Sequence, residues 1–209
     1  MLEKIRMVQN EKAITVKIIS SLLILCFGIC LGLCSKILDE TGVNELPLLL
    51  QRIDIGNFLG RFAVWIFIAV CISVYSYSAK RASLNVFLFF IGMVSSYYLY
   101  CALVAGFFPR SYAMIWFGIT FLTPFLAFVC WYAKGDRWIA ILISGVILGV
   151  LLSQAVLLFQ GIRITHITEV MIWLLSLWVL RRKPKEFAIE IGISLITAVL
   201  YQLFIPYWG

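Results

Sequence analysis

Residues 14–35 read ITVKIISSLLILCFGICLGLCS, an apolar run in which Lys17 is the single charge. A helix that crosses a bilayer needs about 20 predominantly apolar residues, which this run supplies. It is longer than the roughly 7–15-residue apolar region of a secretory signal, and no small-x-small cleavage site follows it. Ile29 and Leu33 precede Cys30 and Cys34 where a lipoprotein signal wants Gly, Ala or Ser. We read an uncleaved first span. Lipid satisfies no backbone polar groups, so a spanning segment is a helix or part of a closed barrel. Continuous apolarity, without alternation, selects the helix.

Outward from this run the same signature recurs in Phe58–Ser78, Leu84–Phe108, Tyr112–Ala133, Trp138–Gln160, Thr165–Leu180 and Phe187–Trp208. The expected architecture is therefore an all-α, polytopic transmembrane bundle of seven spans. It forms one domain over 14–208, preceded by an interfacial segment over 1–13. Thr165–Leu180 is the shortest run and carries Glu169 near one end; if it turned back without crossing, six spans would remain. Residues 36–57 form the single long connection. It is acidic (Asp39, Glu40, Glu45, Asp54), is broken by Pro47, and is expected along the membrane surface.

The 209 residues are 63% hydrophobic and 13% charged, with mean hydropathy +1.04. Soluble domains are about 45–50% apolar and about 25% charged. A water-soluble enzyme, a disordered chain and a nucleic-acid-binding module are excluded, and the lipid bilayer is the expected environment. The net charge of +7 then reports orientation. Seven spans put Lys4, Arg6, Lys12, Lys17, Lys80, Arg81, Lys134, Arg137, Arg181, Arg182, Lys183 and Lys185 on one side. The other side receives only Lys36, Arg52, Arg61, Arg110 and Arg163. The positive-inside rule places the N-terminus in the cytoplasm and the C-terminus outside. Trp131, Trp138 and Trp178 read as interface anchors on the basic side, and Trp208 on the other.

Ionisable side chains within spans are functional candidates by default, and here they fall at span ends. No Asp, Glu, Lys, Arg or His is expected at mid-depth, so a proton relay or an intramembrane aspartyl protease lacks its parts. At the non-basic end, Lys36, Asp39, Asp54, Arg61, Arg110, Arg163, His166 and Glu169 come to one level. They outline an outward-facing polar cavity for a small charged solute. Arg61, Asp39, Arg110 and Glu169 are its candidate ligand-binding residues, with Gln154 and Tyr97 as uncharged contributors. Arg61 should pair with Asp39 or Glu169. Tyr97 and Tyr100 share a helix face that Tyr98 leaves. The competing reading is a solvated rim of snorkelling side chains.

Other patterns carry packing more than chemistry. Gly28-x-x-x-Gly32 and Gly145-x-x-x-Gly149 allow close helix approach. Cys26, Cys30 and Cys34 spread over about 12 Å of helix axis, too far for one ion, and read as part of a packing seam. His166 and Glu169 lack a second histidine for zinc, with Thr165 as a helix cap. No G-x-S-x-G occurs, and no catalytic residue, cofactor or metal is expected. Pro124 interrupts the fourth span as a candidate hinge, freeing the Thr120 carbonyl for Thr120 or Thr123 to satisfy. Spans one to three and five to seven share an orientation about a single linker, a plan similar to the triple-helix repeats of sugar transporters. The glycine pairs are the only self-similarity we read, too little to establish a duplication.

The stretch Val74–Tyr132 and its continuation, containing YSYSAKRASLNVFLFFIGMVSSYYLY, GFFPRSY and FVCWYAKGDRW, resembles a group of small bacterial polytopic membrane proteins with no assigned activity. The likeness extends to the first span with its glycine pair and Ser35-Lys36-x-x-Asp39. It implies a multi-pass protein of the bacterial inner membrane and no particular chemistry. Two function classes follow from the residues. One is a small-solute binding or transport subunit that depends on an energising membrane protein partner. The other is a non-transporting scaffold, sensor or immunity-type protein, associating with itself or a partner through its glycine seams.

Overall fold

The computed structural model describes residues 5–8, 13–158 and 163–205. Nine α-helices occur among them: α1 (Ile14–Glu40), α2 (Leu48–Arg52), α3 (Ile55–Gly60), α4 (Phe62–Tyr75), α5 (Ala79–Leu103), α6 (Arg110–Trp131), α7 (Trp138–Ala155), α8 (Ile167–Val179) and α9 (Pro184–Phe204). Two short antiparallel strands, β1 (Val156–Leu157) and β2 (Arg163–Ile164), close the α7–α8 connection.

Five helices are long and apolar enough to cross a membrane: α1, α5, α6 with the turn that extends it to Lys134, α7 and α9. The chain is an all-α protein of the membrane-spanning kind. The helices α4 and α8 are shorter, at 14 and 13 residues. At 1.5 Å per residue they reach about 21 and about 20 Å, short of an about 30 Å hydrocarbon core. The expected second span, Phe58–Ser78, is cut because Arg61 adopts extended backbone (φ −93°, ψ 152°) between α3 and α4. The expected fifth span, Trp138–Gln160, ends at Ala155, where Val156 turns extended to pair with β2. Gln160 and Trp208 lie outside the described residues.

Two sets of contacts define the ends of the bundle. At one end Arg81 donates to the Lys17 carbonyl, Arg6 to the Trp131 and Val74 carbonyls, and Arg182 to those of Gly135 and Ala133. At the other, Tyr97 meets Asp39 and Arg61 meets Glu169. Helices α1, α5, α7 and α9 therefore run in one direction and α6 in the other, and basic residues gather at the first end. The segment over 1–13 suits a short interfacial helix by sequence, but its described residues 5–8 are not helical. Ile5 is buried there, its carbonyl accepting from the Asp136 amide at 3.1 Å. Trp131 is buried beneath the Arg6 guanidinium, 4.4 Å from the ring centroid, so it is a packing residue and not a lipid-facing anchor. Trp138 and Trp178 are exposed.

Helix α1 packs along α5, α7 along α9, and α5 along α6; α4 sits among α5, α6, α7 and α8. Glycines set the two closest approaches. A Cβ at Gly28 or Gly32 would fall on the Phe89 or Met93 carbonyl oxygen of α5, and one at Gly92 would lie 2.8 Å from the Leu25 carbonyl. At Gly145 it would meet Ile193 at 2.7 Å, and at Gly149 the Ser194 carbonyl at 2.6 Å. The Cys26, Cys30 and Cys34 stripe is not part of this seam; all three side chains are exposed, on faces of α1 that the glycines do not share. Outward faces are apolar throughout, as at Leu22, Leu23, Phe121, Phe125, Ile196 and Leu203. Such a surface fits acyl chains.

The two seams match in register. Phe89 and Glu190, which oppose Gly28 and Gly145, are separated in sequence by the same distance as Met93 and Ser194, which oppose Gly32 and Gly149. Ser96 and Thr197 complete the series, and so do Arg81 and Arg182 at the basic end. The α1–α5 and α7–α9 pairs are thus built on one pattern. The likeness belongs to the pairs and not to whole triples, because α4 packs on the second helix of its pair and α8 on the first of its own.

Candidate functional site

The non-basic end of the bundle holds a cavity of about 410 Å³ between the end of α1, helix α3, the top of α4, the last turns of α5 and the start of α6. Its wall begins with a continuation of α1. The first span was expected to stop at Ser35, but Lys36 pairs with Glu40 four residues on at 3.2 Å and with Asp39 at 3.7 Å. Such spacing supports helix, and α1 runs on to Glu40. Lys36 is only 5% exposed. Its ammonium also lies 5.3 Å from the Phe107 ring and 5.5 Å from the Tyr97 ring, so both charge and stem are accommodated.

Opposite Lys36, Tyr97 donates its hydroxyl proton to Asp39 Oδ2 at 2.7 Å. Tyr98 also lines the cavity, packed edge-on against Tyr97 at 5.2 Å. Tyr98 was expected to point away from the face of Tyr97, and instead both line the cavity, which Tyr100 does not. The cavity wall covers a wide arc of α5, and neighbouring residues 100° apart both fall within it. Trp65 on α4 is held by its indole N–H donating to the Leu59 carbonyl at 2.9 Å, which leaves the ring to the cavity. Gly106, at φ +74°, reverses the chain after α5 and brings Phe107 into the wall. Tyr112 and Trp116 of α6 complete an apolar, aromatic enclosure with one polar corner at Lys36, Asp39 and Tyr97.

The remaining candidate residues are elsewhere. Arg61 binds Glu169 and donates to Asp54 Oδ2 at 3.0 Å and to Thr168 Oγ1 at 3.2 Å. Glu169 is 2% exposed. Of the two acids weighed for Arg61, Glu169 is the one in contact, and the pair ties α4 to α8 without lining the cavity. Arg110 begins α6 and is exposed, with no carboxylate paired to it among the described residues. Gln154 lies in the last turn of α7, at 3.5 Å from Ser153 Oγ and away from the cavity. It was expected deeper because the fifth span was drawn too long. Thr165 does not cap α8, which starts after His166; its hydroxyl donates to the Gln154 carbonyl at 2.6 Å and so closes α7. Around Pro124 the helix is continuous. Thr123 donates to the freed Thr120 carbonyl at 2.8 Å, and Ser83 of α5 donates to the Pro124 carbonyl at 2.8 Å.

Of the six ligand-binding candidates, the fold brings Asp39 and Tyr97 together in one cavity and leaves Arg61, Arg110, Glu169 and Gln154 outside it. Trp65, Tyr98, Phe107, Tyr112, Trp116 and Cys101 were not among them. The signal for the five aromatic ones was compositional, 7 Trp, 9 Tyr and 16 Phe, which does not say which rings face one another. No protein-family model, curated protein or solved structure matches the chain.

Proposed function

We propose that this integral membrane protein is a binding subunit for a small amphipathic solute, and that the aromatic cavity is its site. The single observation that supports the reading most is Lys36. A buried cation at the rim of an aromatic enclosure, balanced by Glu40 and by Asp39, which Tyr97 hydrogen-bonds, is a polar corner on an apolar pocket. Small-molecule sites are of this kind, about 300–1,000 Å³, mostly apolar, with few polar groups that fix orientation. A ring-sized apolar body would lie against Trp65, Tyr98 and Trp116, with its polar head at Lys36, Asp39 and Tyr97. With the basic end cytoplasmic, as the positive-inside rule has it, the cavity opens outward in a bacterial inner membrane. Movement of the solute would need an energising membrane partner, because the described residues form one helical bundle with no separate polar domain. The scaffold reading loses support from the glycine seams, since both are occupied by packing within the chain.

The test is a thermal-stability screen of the purified full chain against aromatic amino acids, heteroaromatic vitamins and aliphatic amino acids. An aromatic compound should stabilise the wild type, and Lys36→Met or Tyr97→Phe should remove that stabilisation. Failure of every compound, or stabilisation indifferent to both substitutions, rejects the cavity as the site. Labelling a cysteine introduced at position 110 from outside intact cells with an impermeant reagent tests the orientation.

A further inference from the structure

At the basic end the two matched helix pairs differ in one respect that points to a ligand. In the α7–α9 pair, Arg182 donates to the Gly135 and Ala133 carbonyls and to Ser144 Oγ, and two carboxylates neutralise it. Glu186 lies at 3.7 Å and Glu190 at 3.6 Å. In the α1–α5 pair, Arg81 holds the matched place. Its Nη2 donates to Ser21 Oγ at 2.6 Å and to the Lys17 carbonyl. The residues that follow Arg81 at the spacings of Glu186 and Glu190 are Asn85 and Phe89. No carboxylate is paired with Arg81 among the described residues, and its Nε is buried without a hydrogen-bond partner.

Beside Arg81, at Asn85, the residue that matches Glu186 in the other pair, there is an open pocket of about 240 Å³. Lys17, Arg81, Asn85, Ser76, Ser20 and Tyr77 supply its polar wall, and no acidic residue lines it among the described residues. Its framework is built. Ser21 donates to Asn85 Oδ1 at 2.9 Å, Asn85 Nδ2 to Ser76 Oγ at 3.4 Å, and Lys17 lies over the Tyr77 ring at 5.2 Å. The remaining wall is apolar, from Val16, Ile24 and Ile72. It continues into the exposed face of α1 at Ile19 and Leu23.

We propose that this pocket binds the phosphate of an anionic lipid, which supplies to Arg81 the negative charge that Glu186 and Glu190 supply to Arg182. Arginine forks match phosphate oxygens, and basic pockets between transmembrane helices are suited to acidic headgroups. The apolar rim favours a phosphate that carries acyl chains over one free in water.

The experiment follows thermal unfolding of the full chain in neutral detergent, with phosphatidylglycerol or phosphatidylcholine added to the micelles. Phosphatidylglycerol should raise the midpoint by several degrees over phosphatidylcholine. Arg81→Gln should abolish that increment. Asn85→Glu, which places a carboxylate four residues from Arg81 as Glu186 is from Arg182, should abolish it too by filling the site from within. Equal midpoints in the two lipids, or an increment that survives both substitutions, overturns the proposal. Glycerol 3-phosphate alone giving the full increment makes free phosphate the occupant and overturns the lipid assignment. Should Arg81→Gln give no folded protein, the wild-type lipid comparison and Asn85→Glu decide.

Discussion

The α1–α5 and α7–α9 pairs share a glycine seam, a register and an arginine at the same end, yet they neutralise that arginine differently. The second pair encloses its own counter-charges, with Glu190 fully buried against α7. The first places Asn85 and Phe89 at those positions, Phe89 filling the core and Asn85 lining a pocket. The pairs also differ at the far end. The first extends through Lys36 to Glu40 and walls the aromatic cavity, whereas the second stops at Ala155 in a hairpin sealed by Gln202, which donates to the Ser153 carbonyl at 3.0 Å and accepts from the Leu158 amide at 2.9 Å. One packing solution thus serves a pair that is closed at both ends and a pair that is open at both. In this protein the close approach of the helices and the presence of a pocket beside them are separable properties.

That comparison can be broken at the seams first, where the largest effects are expected. Gly32→Leu and Gly149→Leu should each cost at least about 4 kcal/mol, enough to remove folded protein from size-exclusion profiles. Gly118→Leu, at a position with open space around it, should stay within about 0.5 kcal/mol of wild type. Equal behaviour of all three would mean that the seams are not where the helices meet.

Next come the arginines. Arg182→Gln leaves Glu190 buried without its cation, a loss of about 3–5 kcal/mol, and adding Glu190→Gln should recover much of it. Arg81→Gln strands no charge and should cost about 1 kcal/mol in neutral detergent, from its hydrogen bonds alone. Urea or thermal unfolding reads both, and equal losses would erase the difference between the pairs.

Smaller and opposite effects are expected at two glycines adjacent in the matched registers. Gly92→Ala brings a Cβ to 2.8 Å from the Leu25 carbonyl and should destabilise by about 1–3 kcal/mol. Gly192→Ala meets nothing within 4 Å and should stabilise α9 by up to about 1 kcal/mol through helix propensity. The smallest change is Tyr97→Phe, which removes one hydrogen bond to a half-exposed carboxylate and should cost about 0.5–1 kcal/mol of stability. Its larger effect should appear in solute binding.

Long apolar helices were legible because their signal is local: twenty apolar residues need no knowledge of neighbours. Their ends were less so. Arg61 reads as a charge near the start of a span, but neither its place between two helices nor its pairing with Glu169, over a hundred residues away, is written in the local sequence. The extension of α1 to Glu40 could have been read from the Lys36–Glu40 spacing. The end of α7 at Ala155 could not, since Val156 and Leu157 are as apolar as the helix before them. The register match was also hidden, because the glycines are visible in sequence but the carbonyls they approach are not.

The amino-acid sequence alone determined that this chain folds as apolar helices and that its basic residues would collect at one end, since both follow from transfer energies of individual residues between water and lipid. Only the tertiary structure decided which polar groups meet. Asp39 joins Lys36 and Tyr97, Arg61 takes Glu169, and Arg81 faces a pocket where its counterpart faces carboxylates. Those pairings depend on helix rotation and depth, and the glycine contacts between non-consecutive helices set both.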